Sequence, residues 1–438
     1  MNKSIGVLGL GKSGVAVANL AAELGYNVFA SDSKNKSIEI LNKKVITEFG
    51  EHSGKILNSD VIIKSPGICL DIPILKKARK LEIPVISEIS FSLKKLKYKK
   101  IIAITGTNGK TTTADLTSKI VKLFYKNSII SGNIGYPLAD EVLKTTKDTI
   151  IILELSSYQL EDTPDFRANI SVLLNITPDH LEHHKTMKAY IKAKKNIFMN
   201  QNNEDFTIVN YDDEICRIIF KKAKTSKVVF FSRTVAFKNG VFYDNGDIVI
   251  ATRNKHIVIQ PKINIVGVHN MENILAAVAA SYVAGVDPNT IEEVISKYQG
   301  MEHRIEFVRT LSGVNYYNDS KSTNVDSTKV ALKSFEKNIL IIMGGRDKGF
   351  SYTPLAKLVT QKVKSIFLIG EASDKIKRDL KGVTVFVDAK DIGNAVNQIF
   401  RVVVPGDTVL LSPACASFDQ FKDFEERGKF FKQIVYNL

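Results

Sequence analysis

Short apolar runs recur along the chain, each closed by a glycine-rich or polar turn and followed by a stretch with helical spacing. The first, from Ile5, leads into Gly9-Leu-Gly11-Lys-Ser-Gly14 and a helix that closes near Gly25. A second strand over 27–31 puts Asp32 at its C-terminal end, and 60–64 runs into Ser65-Pro66-Gly67. Another strand starts at Ile83. Strands are then predicted over 101–104, 149–154 and 172–176, with helices running to Phe124 and over 185–199. Asn239-Gly240 and Asn245-Gly246 predict hairpins in a small β elaboration. An alanine-rich helix after Gly267 closes near Gly285, and Asp287-Pro288 opens the next. Later runs at 339–343, 365–369, 383–387 and 408–411 are again separated by helical stretches. Strand-helix alternation of this kind predicts open, mostly parallel sheets covered by helices.

The chain therefore reads as α/β with three domains. The lysine-rich stretch 94–100 looks like a surface connection, which places a boundary near Lys97. A Rossmann-like N-terminal domain spans 1–97, a central P-loop ATPase-like domain 98–299, and a C-terminal Rossmann-like α/β domain 300–438.

The strongest chemical signal is Ile101-Ile-Ala-Ile-Thr105-Gly106-Thr107-Asn108-Gly109-Lys110-Thr111-Thr112. A buried strand, a turn with two glycines and a Lys-Thr pair opening a helix form a cradle for polyphosphate, with backbone N–H groups facing the anion. Lys110 supplies a cation and the Thr111 hydroxyl a magnesium ligand. Ile104 stands where the full phosphate-loop pattern has its first glycine, so the strand-loop-helix context carries the reading. Glu154, at the tip of the next buried strand, stands where a second magnesium contact belongs. His180 follows a strand end after Asp179, so a turn residue and a metal ligand are both open for it.

Composition narrows the class. With 438 residues, 44% apolar and 24% charged, the chain suits a large soluble globular protein. The net charge of +15 is spread over lysines along the whole length, without an arginine-rich tract, so neither nucleic acid nor membrane is expected as a partner. Cys69, Cys216 and Cys415 are too far apart for a disulfide framework or a metal spacing. No apolar run approaches the ~18 residues of a membrane span, and the expected location is the cytoplasm.

These units, with Tyr317-Asn-Asp319-Ser-Lys321-Ser-Thr323-Asn324 and Leu411-Ser-Pro-Ala-Cys415-Ala-Ser417-Phe-Asp-Gln-Phe-Lys-Asp-Phe424, resemble the Mur ligase family over the whole chain. The last segment looks specifically like the D-glutamate-adding branch. The resemblance implies an ATP-dependent amide-forming ligase of peptidoglycan precursor synthesis, and so of cell shape and division. D-glutamate would be added to UDP-N-acetylmuramoyl-L-alanine through an acyl phosphate, by a monomer. Both steps bring anions together. Two unit charges at ~4 Å interact by ~4 kcal/mol at an effective dielectric of ~20, so cations are required.

Carried over residue by residue, the resemblance implies ATP contacts from Gly106, Thr107, Asn108, Gly109, Lys110, Thr111 and Thr112, with Asn270, Asn273, Arg304 and Asp319 near adenine and ribose. Two magnesium ions would be held by Thr111, Glu154, His180 and a carbamylated Lys194. The carbamate requires a neutral amine, hence burial of Lys194, while Lys185, Lys188, Lys192 and Lys195 of the same stretch face solvent. Ser13, Gly14, Asp32, Ser33, Ser65 and Gly67 would bind the UDP part, and Asn133, Ser156 and Gln159 the muramoyl end. Thr323, Lys348, Ser417 and Phe424 would bind D-glutamate, with Lys321 assisting.

Three alternatives stay open on sequence. A nicotinamide-dependent dehydrogenase would use Gly9, Gly11, Gly14 and Asp32, but leaves the phosphate loop and Glu154 without a task. Another ligase of the same architecture, including a folate polyglutamylating one, fits the third-domain segments less well. A non-catalytic nucleotide-binding module would bind ATP and release no phosphate.

Overall fold

The computed structural model describes residues 3–34, 41–69, 71–220, 226–253 and 255–438. Three sheets organise them. The first is five-stranded and parallel, in the order Ile46–Phe49, Asn27–Asp32, Ser4–Leu8, Val61–Lys64, Val85–Ser87. The second has nine strands, ordered Lys255–Ile259, Asp247–Thr252, Gly240–Asp244, Lys227–Ser232, Phe206–Asn210, Ile170–Leu173, Lys100–Thr105, Ile150–Glu154, Ser128–Gly132. It is parallel except for the two antiparallel pairings at its Lys255–Ile259 end. The third has six strands, ordered Glu306–Leu311, Val314–Asn318, Thr408–Leu411, Ile339–Gly344, Val363–Ile369, Val385–Lys390, and is parallel beyond its first pairing.

The chain packs as two compact units. One comprises Met1–Pro261 with Met271–Ile295 and holds the first two sheets; the other comprises Lys262–Asn270 with Ser296–Leu438 and holds the third.

Strands buried on both faces account for the uninterrupted apolar runs. Ile101, Ile102, Ala103 and Ile104 are fully buried, as is every residue of Ile150–Glu154, its terminal carboxylate included. Helices Lys110–Phe124 and Lys12–Glu23 contribute Leu116, Ile120 and Val121, and Val17, Ala18, Leu20 and Ala21, to the cores of their sheets.

Three local expectations change. The predicted strand at 172–176 is Ile170–Leu173, because Asn175 leaves the sheet to brace the loop 106–109 through its carbonyl and side chain. The helix predicted over 185–199 is Met187–Met199, preceded by the short helix Leu181–His184. Thr186 caps it, accepting from the Ala189 N–H, and Lys185 has φ +64°, which breaks the helix. Asn239-Gly240 does not make a hairpin: Gly240 enters a strand parallel to Lys227–Ser232, and a Cβ there would lie 2.6 Å from the Phe230 carbonyl oxygen. Asn245-Gly246 does turn an antiparallel hairpin. A further hairpin at Ser312-Gly313, both with positive φ, adds Glu306–Leu311 to the third sheet.

In the second unit the Arg427 guanidinium is 1% exposed. It donates to the carbonyls of Ser320, Cys415 and Ala416 and to Ser320 Oγ, tying three segments together. Burial lowers its pKa to about 10, which leaves it charged at neutral pH. Removing it strands several buried acceptors, so Arg427→Ala is expected to cost ~3 kcal/mol in urea unfolding. An unchanged unfolding midpoint would contradict this account of the core.

Candidate functional site

A cavity of about 550 Å³ opens within the first unit, at the C-terminal ends of parallel strands, where α/β sheets bind ligands. Lys12 and Ser13 line it from the first turn of the helix Lys12–Glu23, and Pro66 and Gly67 from the turn after the strand Val61–Lys64. Lys110, Asn133, Ser156, Tyr158, Gln159, His180, Tyr190 and Lys194 line it from elements of the second.

The loop 106–109 is held from several sides. Thr107 N–H donates to the Asn175 carbonyl, Asn108 N–H to Asn175 Oδ1, and Asn175 Nδ2 to the Asn108 carbonyl. Thr107 Oγ1 lies 2.9 Å from the Tyr190 hydroxyl. Gly109 has φ +82°, and a Cβ on it would lie 2.1 Å from Asn273 Oδ1, so only glycine fits this turn into the helix. Asn273 itself is buried and accepts from Thr113 Oγ1. Thr111 is half-buried one residue after Lys110, and Thr112 is buried behind it.

Two ammonium groups converge on one oxygen. Lys110 Nζ donates to the carbonyls of Gly106 (2.9 Å) and Thr107 (2.8 Å), and Lys194 Nζ to that of Gly106 (2.7 Å). Lys194 is 1% exposed. Burial, and then the charge of Lys110, lower its pKa to about 7. Lys185, Lys188 and Lys192 are exposed and Lys195 is half-buried, so of this group only Lys194 turns inward.

Glu154 is fully buried. Its Oε1 accepts from Asn133 Nδ2 at 2.7 Å, while Oε2 has no hydrogen-bond partner. A buried carboxylate oxygen left without a donor is what a hard cation would satisfy. The Thr111 hydroxyl and Glu154 therefore fit magnesium. His180, with φ +52° and a side chain 41% exposed, has Nε2 3.4 Å from Asp179 and Nδ1 3.6 Å from Glu182.

The acceptor-binding expectations divide. Ser13, Gly67, Asn133, Ser156 and Gln159 line the cavity; Gly14, Asp32, Ser33 and Ser65 do not. Gly14 packs so closely that a Cβ would lie 1.8 Å from the Gly9 carbonyl oxygen, and Ser65 Oγ donates to that same oxygen. Asp32 is buried, its Oδ2 accepting from Leu10 N–H and its Oδ1 from Lys34 N–H. A carboxylate so engaged ties the glycine-rich turn to its own, which weakens the dehydrogenase alternative. Ser33 is exposed. Ser156 and Gln159 form a capping box on the helix Ser157–Glu161.

In the second unit Asp319 is buried, and burial raises its pKa to about 6 against hydrogen bonds from Ser322, Ser412 and the Ile305 N–H. Arg304 is half-buried nearby in sequence to His303, and Asn270 Nδ2 donates to the Val266 carbonyl. Ser417 is buried, Thr323 and Phe424 are half-buried, and Lys348 sits on an exposed loop. Lys321 Nζ lies 5.8 Å from the Phe424 ring centre. Sequence reasoning missed Lys12, Tyr158 and Tyr190 in the cavity wall. It also passed over the density of histidine at 180, 183 and 184 in a chain with seven.

Comparison with known proteins agrees over the full length. Family models match in three consecutive stretches: the MurD-like N-terminal domain of Mur ligases at 3–87, the Mur ligase middle domain at 104–281, and the Mur ligase glutamate ligase domain at 303–415. The UDP-N-acetylmuramoylalanine--D-glutamate ligase of Elusimicrobium minutum is 44% identical, covering 99% of this chain and 97% of that one. That of Koribacter versatilis is 43% identical, covering 100% and 98%. Among solved structures, the MurF ligase of Thermotoga maritima in complex with ADP superposes with a TM-score of 0.61 at 15% identity, covering 100% of this chain and 96% of that one. At that identity the likeness speaks for the fold alone. The relatives at 43–44% identity over nearly the whole length carry more: this chain belongs to the Mur ligase family.

Proposed function

We propose that the protein joins D-glutamate to UDP-N-acetylmuramoyl-L-alanine at the expense of ATP, in peptidoglycan precursor synthesis in the cytoplasm. What supports the reading most is that Lys110 and Lys194, both in the wall of one cavity, meet on the carbonyl of Gly106, with the unpartnered Glu154 oxygen buried at the tip of the neighbouring strand. The names of the full-length relatives point the same way.

In this reading residues 1–97 bind the nucleotide-linked acceptor, 98–299 bind ATP, and 300–438 deliver the amino acid. The loop 106–109 and the first turn of the helix Lys110–Phe124 cradle the phosphates. Lys110 leaves the carbonyls of Gly106 and Thr107 for the β- and γ-phosphates. Lys12 and Ser13 face the acceptor pyrophosphate, and Asn133, Ser156 and Gln159 orient its muramoyl end. An acceptor carboxylate oxygen then bonds to the γ-phosphorus as ADP leaves. The glutamate amine bonds to the acyl carbon, loses a proton and expels phosphate. Arg304, Asn270, Asn273 and Asp319 hold adenine and ribose; Thr323, Lys348, Ser417 and Phe424 hold D-glutamate. Magnesium, held by Thr111, Glu154, His180 and a carbamylated Lys194, supplies charge neutralisation.

The carbamate resolves an electrostatic conflict. Lys194 sits buried beside Lys110 with a pKa held at about 7, so a neutral amine is accessible near neutral pH. Adding carbon dioxide replaces a repelled cation with an anion next to Lys110.

Phosphate release from ATP is expected to require UDP-N-acetylmuramoyl-L-alanine and D-glutamate together. Equal release with L-glutamate or meso-diaminopimelate would overturn the assignment. Lys110→Ala is expected to lower kcat by ~10²–10³ with the fold intact by circular dichroism; a near-native kcat would remove the loop from the chemistry. With ¹³C-bicarbonate, a carbamate resonance is expected in the native protein and in Lys195→Ala, and not in Lys194→Ala. Because only the neutral amine reacts, its intensity should rise as pH climbs through about 7 and fall below it. A signal independent of Lys194 would contradict the assignment.

A further inference from the structure

We propose that Glu161, His183 and His184 bind one borderline divalent transition-metal ion, with Zn²⁺ as the model case, at a site separate from the phosphate loop. The short helices Ser157–Glu161 and Leu181–His184 bring one donor atom from each of the three residues within 4.8 Å of one another.

The geometry at His184 points to a cation. Its side chain is fully buried, and its Nε2 lies 2.9 Å from Ser157 Oγ. Its Nδ1 has no hydrogen-bond partner and lies 3.8 Å from Glu161 Oε1, too far for a hydrogen bond. With Nε2–H donating to Ser157, Nδ1 presents a buried lone pair toward a carboxylate oxygen. Two acceptors facing each other across such a gap are satisfied by a positive ion between them.

His183 completes the set. Its Nε2 lies 2.7 Å from Glu161 Oε2, and its Nδ1 lies 3.9 Å from Cys69 Sγ. With the proton on Nδ1, facing that sulfur, Nε2 exchanges its hydrogen bond to Glu161 for a bond to the ion, the arrangement by which an outer partner fixes the tautomer of a metal-binding imidazole. Ligands at ~2.0–2.1 Å in a tetrahedral site stand ~3.3 Å apart, so the Glu161 contacts at 2.7 and 3.8 Å bracket the required spacing. Two imidazoles and one carboxylate favour zinc, cobalt or nickel over magnesium. The Tyr158 ring, 4.4 Å from that of His183 and 5.6 Å from that of His184, covers the cluster on the cavity side. An ion here would clamp the helix capped by Ser156 to the one that starts after His180.

The test uses the full chain, stripped with a chelator and titrated with Zn²⁺ against a chromophoric competitor in saturating Mg²⁺. One equivalent is expected to bind, with affinity falling at least tenfold in His183→Gln and in His184→Gln and unchanged in Glu154→Gln. Co²⁺ in place of Zn²⁺ should give the intense visible bands of a four-coordinate site, lost in His183→Gln. Should His184→Gln fail to fold by circular dichroism, His183→Gln and Glu161→Gln decide. No stoichiometric Zn²⁺, undiminished affinity in His183→Gln, or loss confined to Glu154→Gln would each overturn the proposal. None of these outcomes touches the ligase reading, which is scored by phosphate release.

Discussion

The carbonyl oxygen of Gly106 accepts from two lysines at once, and the residues around the loop 106–109 brace that arrangement. Two like charges held ~5 Å apart repel by ~3 kcal/mol at an effective dielectric of ~20. Burial of Lys194 adds a desolvation cost that lowers its pKa to about 7. A protein holds such a pair together only if the surrounding backbone cannot relax. Here Asn175 pins the loop from one side, Asn273 closes on Gly109 from another, and the Thr107–Tyr190 hydroxyl contact ties it to the helix that carries Lys194.

The same constraint explains why the site lies where it does. Parallel strands deliver their C-terminal tips to one edge, so Glu154 arrives opposite Ile104, one residue before Thr105, and Ile170–Leu173 feeds Asn175 into the loop from the other side. Glu154 places a carboxyl group within the same buried region, with one oxygen held by Asn133. Backbone geometry thus fixes where the carboxylate and the two lysines stand, and what is left to change is the partner of the Lys110 ammonium and the charge of Lys194.

Most of the sheet strands could be read from the chain because a strand buried on both faces must be apolar throughout, as in Ile150–Glu154. The loop was legible because glycine spacing encodes a backbone conformation, whereas Lys194 was set apart from the other lysines of its helix only by the resemblance to the family. What escaped depends on contacts between residues distant in sequence. Asn175 ends its strand early because it finds the loop 106–109, and Gly240 joins a parallel strand because it packs against the Phe230 carbonyl. Asp32 carries the expected sequence spacing yet is engaged by the Leu10 N–H of the glycine-rich turn as well as by Lys34 N–H. The buried role of Arg427 had no local signal, since its acceptors lie 11 to 107 residues away.

The most direct measurement is a crystal structure with a non-hydrolysable ATP analogue and magnesium. The account predicts that Lys110 Nζ leaves the Gly106 and Thr107 carbonyls for the γ-phosphate, with a metal ion on the free oxygen of Glu154. A triphosphate bound elsewhere, with Lys110 still folded onto its own loop, would contradict it.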